Sequence, residues 1–194
     1  MRKLIVTNIV SLDGFIAGPG GNVLALPMDG RFDGYNRDRL TTADVLLLGR
    51  RTFEMFQGFW PTMADNPEAP PVIREISRLN GAMAKVVVSN SLALEQTGAW
   101  GSTTRVVRGA TAHADIADLK RSGEKDMLVF GSRTLWNELL KAKLVDEVHL
   151  MVGAVVLGDG TRAFDAGAEA QLDLIGVERW SDSSNVLLKY SVRK

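Results

Sequence analysis

Apolar residues along this chain fall into short unbroken runs, and between the runs they return at helical spacing. Leu4–Val10 is β-branched and apolar without alternation, the pattern of a strand buried on both faces. Val45–Leu48, Lys85–Ser89, Thr104–Val107, Met127–Phe130 and Glu147–Val152 read as further strands. Helices are expected over Phe32–Leu40, Thr52–Phe59, Val72–Leu79, Ala112–Ser122 and Thr134–Ala142. Trp60-Pro61 stops the second of these, and Gly123 is expected to close the fourth as its C′ residue. The stretch 11–23 holds four glycines and a proline, and 61–71 holds four prolines, so both read as loops. Gln171–Arg179 and Asn185–Val192 flank "SDSS" and read as a hairpin. Strands spaced by helices, with a hairpin at the end, predict an α/β fold: a mainly parallel sheet with an antiparallel C-terminal edge. No linker divides the chain, so residues 1–194 are expected to form one domain.

Composition narrows the function classes. With 23 basic and 23 acidic residues, no bulk field draws nucleic acid or an anionic membrane. No cysteine occurs, which removes disulfides and thiolate chemistry and suits a reducing cytoplasm. The apolar run in "MRKLIVTNIV" is too short for a signal peptide, and no run has membrane-spanning length. His113 and His149 stand on different expected elements without metal-ligand spacing, and His149 reads as a satisfied strand residue. "GPGGNV" (18–23) puts Val23 where the dinucleotide fingerprint needs its last glycine, and neither a P-loop nor GxSxG is present.

One pattern recurs. "LLLGRRTF" (46–53) and "LVFGSRTL" (128–135) both run strand, Gly-x-Arg-Thr, helix. In an open α/β sheet such junctions face the crevice where ligands sit. Glycine lets backbone come close, a helix start offers free N–H groups, and arginine suits phosphate. Two junctions are therefore able to hold two parts of one extended anion. The plainer alternative is a pair of ordinary strand-to-helix turns.

The segments "VSLDGFIAG" (10–18), "LLLGRRTFE" (46–54), "VVVSNSL" (86–92), "LVFGSRTLWNELL" (128–140), "LVDEVHL" (144–150) and "VVLGDGTRAF" (155–164) together resemble the dihydrofolate reductase-like family. Within it they are similar to small bacterial reductases of the kind that form the reductase domain of riboflavin biosynthesis. The resemblance covers nearly the whole chain. It implies a three-layer α/β fold, NADPH as cofactor, a small heterocyclic substrate of pterin or ribosylaminopyrimidine type, and a homodimer. It also implies a cofactor clamp: Gly49, Arg50, Arg51 and Thr52 at the first junction, Ser89 and Asn90 at a neighbouring strand end, and Gly131, Ser132, Arg133, Thr134 and Leu135 at the second. Ser132 and Arg133 replace glycines of the dihydrofolate reductase pattern, either crowding the cofactor or adding phosphate contacts. Ile16 and Ala17 match the loop that meets the nicotinamide carboxamide, while Asp13-Gly14 reads as a tight turn.

For the substrate side, the resemblance points to Asp33, seventeen residues before Arg50, as the acid beneath the reacting ring. Asp33-Gly34 reads equally as a helix N-cap. Phe32, Phe56, Phe59 and Trp60 are candidates for a ring-binding wall or for core. The alternative to a reductase is a nucleotide-binding module on the same fold that has no turnover.

Overall fold

A computed structural model describes residues 2–194. β1 (Leu4–Ser11) is buried at all eight positions and forms the middle of the fold. On one side it pairs in parallel with β6 (Asp126–Phe130), and on the other with β7 (Glu147–Gly153). Parallel pairing continues outward through β3 (Ala43–Gly49), β4 (Ala84–Val88) and β5 (Thr104–Val107). Beyond β7 the sheet turns antiparallel through β10 (Val186–Val192) and β9 (Leu172–Arg179), giving the order β5-β4-β3-β6-β1-β7-β10-β9. The expected parallel sheet and antiparallel edge hairpin are both present.

Side chains alternate along the strands, so each strand feeds two cores. Leu4, Val6, Leu47 and Val129 face α4 (Ala112–Ser122) and α5 (Arg133–Lys141), which contribute Ile116, Trp136 and Leu139. Ile5, Leu46, Leu48 and Leu128 face the opposite layer, where α1 (Gly30–Thr42), α2 (Arg50–Phe59) and α3 (Pro71–Ala82) contribute Leu40, Phe53 and Ile76. Helices on both faces explain why the central strands are apolar throughout. The result is three layers.

Three local expectations change. The loop 11–23 contains β2 (Phe15–Ala17), which pairs with β8 (Thr161–Arg162); each is only two or three residues long, too short for alternation to register. α1 begins at Gly30 and its N-cap is Asp29, whose carboxylate accepts from the Arg31 and Phe32 N–H groups. Asp33 is therefore not a cap and sits one turn inside the helix. Gly123 ends α4 in an extended conformation, φ −113°, rather than the left-handed one. Glycine is required there because a Cβ would overlap the Arg2 guanidinium, which pairs with Asp44.

Candidate functional site

β3 and β6 are neighbours, yet α2 leaves β3 toward one face and α5 leaves β6 toward the other. Adjacent strands whose helices part in this way leave a crevice at their carboxyl ends. Here the crevice is a cavity of about 850 Å³, walled by β1, β2, α1, the starts of α2 and α5, and part of α3.

The two repeated junctions meet at its base and lock together. The Gly49 N–H donates to Ser132 Oγ at 3.0 Å, and the Ser132 N–H donates to Thr52 Oγ1 at 2.9 Å. Gly131 has φ +53°, and a Cβ there would press within 3.1 Å of Thr52 Cγ2. Ser132 is also left-handed, φ 49° and ψ 41°, an uncommon conformation for a residue with a side chain. The clasp joins the two copies: each junction supplies a hydroxyl, from Thr52 in one and Ser132 in the other, that satisfies a backbone donor of its neighbour. It also settles how Ser132 is used, because its hydroxyl turns back to Gly49. Arg133 is likewise engaged, donating to the Arg162 carbonyl and pairing with Asp165.

What remains open at the junctions is backbone and one charge. Neither α2 nor α5 has a side-chain cap, so both starts offer first-turn N–H groups to the cavity. Arg50 pairs with Glu54 and donates to Ser91 Oγ at 2.6 Å. Arg51 is exposed on the same wall and enters no ion pair among the described residues.

Gly49, Arg50, Arg51, Thr52 and the whole run Gly131–Leu135 line the cavity, as do Ile16 and Ala17. Ser89 and Asn90 do not. Ser89 Oγ accepts from the Ser91 and Leu92 N–H groups, and Asn90 Oδ1 accepts from the Gly109 N–H at 2.9 Å. Both are spent on shaping the loops after β4 and β5, and Gly109, Ala112 and His113 reach the cavity in their place. Asp13 also lies off the wall. Its carboxylate accepts from Leu157 N–H at 3.1 Å and Gly158 N–H at 2.7 Å, consistent with a turn-anchoring role. The Ser11 hydroxyl and these two backbone donors hold it down at about 2.

The other end of the cavity lies against α1. Asp33, Asn36 and Leu40 recur at helical spacing and line it together, with Phe32 beside them. The Asp33 carboxylate is half-buried and accepts no hydrogen bond among the described residues. Burial, with the nearby Asp29 charge adding to it, pushes Asp33 up to about 6. Phe56 and Trp60 complete an aromatic wall at 6.1 Å, edge to face, while Phe59 packs on Trp60 outside it. Asn8, Asn36, Asn80 and His113 also line the cavity, and nothing in their local sequence marks them as wall residues. His149 is away from the cavity, buried between the Tyr35 hydroxyl at 2.5 Å and Glu147 at 2.9 Å. Burial lowers it to about 4, so it is a neutral, satisfied core residue.

The family model for the RibD C-terminal domain matches residues 2–188. The chain belongs to that family. Among curated relatives, the uncharacterized protein YyaP of Bacillus subtilis (strain 168) is 28% identical over 181 residues, covering 93% of this chain and 90% of that protein. A putative riboflavin biosynthesis protein from Shewanella sp. PV-4 superposes with a TM-score of 0.75 at 23% identity, over 100% of both chains. A diaminohydroxyphosphoribosylaminopyrimidine deaminase/5-amino-6-(5-phosphoribosylamino)uracil reductase from Thermotoga maritima gives 0.69 at 15% identity, over 99% of this chain and 57% of that one. Dihydrofolate reductase from Enterococcus faecalis, complexed with NADP(H) and RAB-propyl, gives 0.62 at 14% identity, over 99% and 97%. At these identities the three structures establish the fold. It is the dihydrofolate reductase-like fold, in its pyrimidine reductase-like form.

Proposed function

We propose that this RibD C-terminal domain family member is an NADPH-dependent reductase of a small heterocycle, with an aminopyrimidine preferred over a pterin. The supporting observation is one continuous cavity with anion-binding groups at one end and a desolvated carboxylate with aromatic walls at the other. The residues present fit a dinucleotide. Two uncapped helix starts and Arg51 suit a pyrophosphate and a 2′-phosphate, and Gly131 keeps the clasp free of a Cβ. When bound, NADPH supplies hydride. Ile16 and Ala17, tied to β8, form the wall that orients the nicotinamide end. Asp33 keeps its proton to a higher pH than an ordinary carboxyl, up to about 6, and delivers it to a ring nitrogen of the substrate. Phe56 and Trp60 exclude water from that lobe. With balanced charge, nucleic acid and membranes are not partners in this reading, and among the described residues no helix is long and apolar enough to cross a membrane. The cytoplasm is the proposed compartment, and a homodimer the proposed assembly.

Single-turnover hydride transfer in Asp33→Asn, beside calorimetry with NADPH, tests the reading. A proton held by Asp33 is present below about pH 6 and lost above it, so the wild-type rate falls as pH rises through that value. Asp33→Asn is expected to bind NADPH normally, to react roughly 100-fold more slowly, and to lose that pH dependence. Unchanged hydride transfer would remove Asp33 from the chemistry. Tight NADPH binding with no transfer to any heterocycle would favour a nucleotide-binding module instead.

A further inference from the structure

The cavity wall on α3 includes a buried amide whose oxygen has no hydrogen-bond partner among the described residues. Asn80 is 1% exposed, and its Oδ1 has no hydrogen-bond partner among the described residues. Four other buried side-chain atoms share that condition, on Arg2, Arg39, Thr104 and Trp136, but Asn80 alone of the five residues lines the cavity. An unpaired buried acceptor is unfavourable, and native proteins keep few of them without a use. Leucine at this position would bury apolar surface in the core that already holds Ile76 and Leu40.

The surroundings say what such an amide suits. Ile76 and Asn80 lie one turn apart on α3 and face the cavity, whose α1 wall carries Asn36 and Leu40. Around these amides and Asp33 the wall is apolar and aromatic, with Phe32, Phe56 and Trp60. A carboxamide carries a donor and an acceptor side by side, and a half-turn about χ2 exchanges them. Oδ1 is enclosed, and it gives up no hydrogen bond among the described residues when such a half-turn brings it to the cavity side in place of Nδ2. The complement of an acceptor turned to the cavity is a donor: the ring N–H of a lactam.

Building on the reductase reading above, we propose that Asn80 is the specificity residue of this site. Its Oδ1, turned to the cavity, accepts the lactam N–H of a pyrimidinone ring seated between α1 and α3. The position of Asn80 is well fixed. The next residue's carbonyl, Gly81 O, accepts from the buried Lys85 ammonium at 3.1 Å, and Met83 O accepts from it at 2.7 Å, so the end of α3 is tied to β4.

The test uses two probes, 6-aminouracil and 6-amino-1,3-dimethyluracil, which differ in whether the lactam nitrogens carry hydrogen. Calorimetry on the wild-type protein is expected to show the first binding at least about tenfold tighter. In Asn80→Leu and Asn80→Ala the two probes are expected to bind equally. Asn80→Leu should melt at or above the wild-type temperature, because an unpaired group has been removed. Equal binding in the wild type, no binding of 6-aminouracil, or discrimination that survives both substitutions would overturn the proposal. So would failure of both variants to fold, the sign that the amide has a structural partner. NADPH titration of the same proteins keeps the two readings apart: its failure strikes the reductase assignment, whereas the uracil comparison is made without nucleotide.

Discussion

Arg50 and Arg51 are adjacent in sequence and unequal in what they are free to do. Arg50 is held by Glu54 and Ser91, while Arg51 has no ion-pair partner among the described residues and faces the same cavity. A 2′-phosphate would draw chiefly on the free guanidinium. The wild-type protein is expected to bind NADPH at least about tenfold tighter than NADH, near 1.4 kcal/mol. Arg51→Gln should erase most of that preference, whereas Arg50→Gln should change it by less than about threefold. Calorimetry on the four combinations decides, and equal losses in both variants would assign the phosphate to the pair. The sequence shows both arginines but not which is occupied, because Glu54 is one helical turn away and Ser91 arrives from the loop after β4. Asn80 was harder still to see. It follows an expected helix end at Leu79, and a lone amide in "RLNGA" looks like any solvated helix position until α3 is packed on α1.

At the scale of elements, the strands and most helices were legible because their signals are local: unbroken β-branched runs, helical spacing, and glycine or proline at the ends. What was hidden depends on contacts distant in sequence. β2 and β8 exist only as each other's partner, and Ser89 and Asn90 were assigned to the ligand because the loops that claim them could not be foreseen. The junctions were visible as a repeat, but their interlocking was not. Its energetic weight can be measured. Thr52→Val removes the acceptor of the Ser132 N–H, and Ser132→Ala removes that of the Gly49 N–H. Each is expected to lower unfolding free energy by about 1–2 kcal/mol. The double variant should fall short of the sum by about 0.5 kcal/mol or more, since the two bonds share one geometry. Urea unfolding of the three proteins gives the answer, and strict additivity would show two independent turns.

For the molecule as a whole, the unusual surface is the edge of the sheet. Among the described residues β9 is paired on one side only, by β10, and it exposes Leu174, Ile175 and Val177 at 57%, 51% and 54%. An open apolar edge invites a second strand, and a two-fold axis is the simplest way to cover it. Light scattering at micromolar concentration is expected to give twice the 21.1 kDa chain mass, about 42 kDa. Ile175→Asp combined with Val177→Lys should return it toward one chain without unfolding it. A monomer in the unsubstituted protein would remove β9 as an interface.

The bonds that join the junctions link residues 83 and 80 positions apart, so they form only when β3 and β6 are already side by side. A partly folded form that lacks β6 and α5 would lack the nucleotide site proposed above, and the Gly49 and Ser132 amides should exchange with solvent only through opening of the whole parallel half. A dinucleotide seated there would bind the native state alone. At a hundredfold excess over its dissociation constant it would add about 2.7 kcal/mol to global stability. The lifetime of the chain against proteolysis would then follow the cell's supply of reduced cofactor.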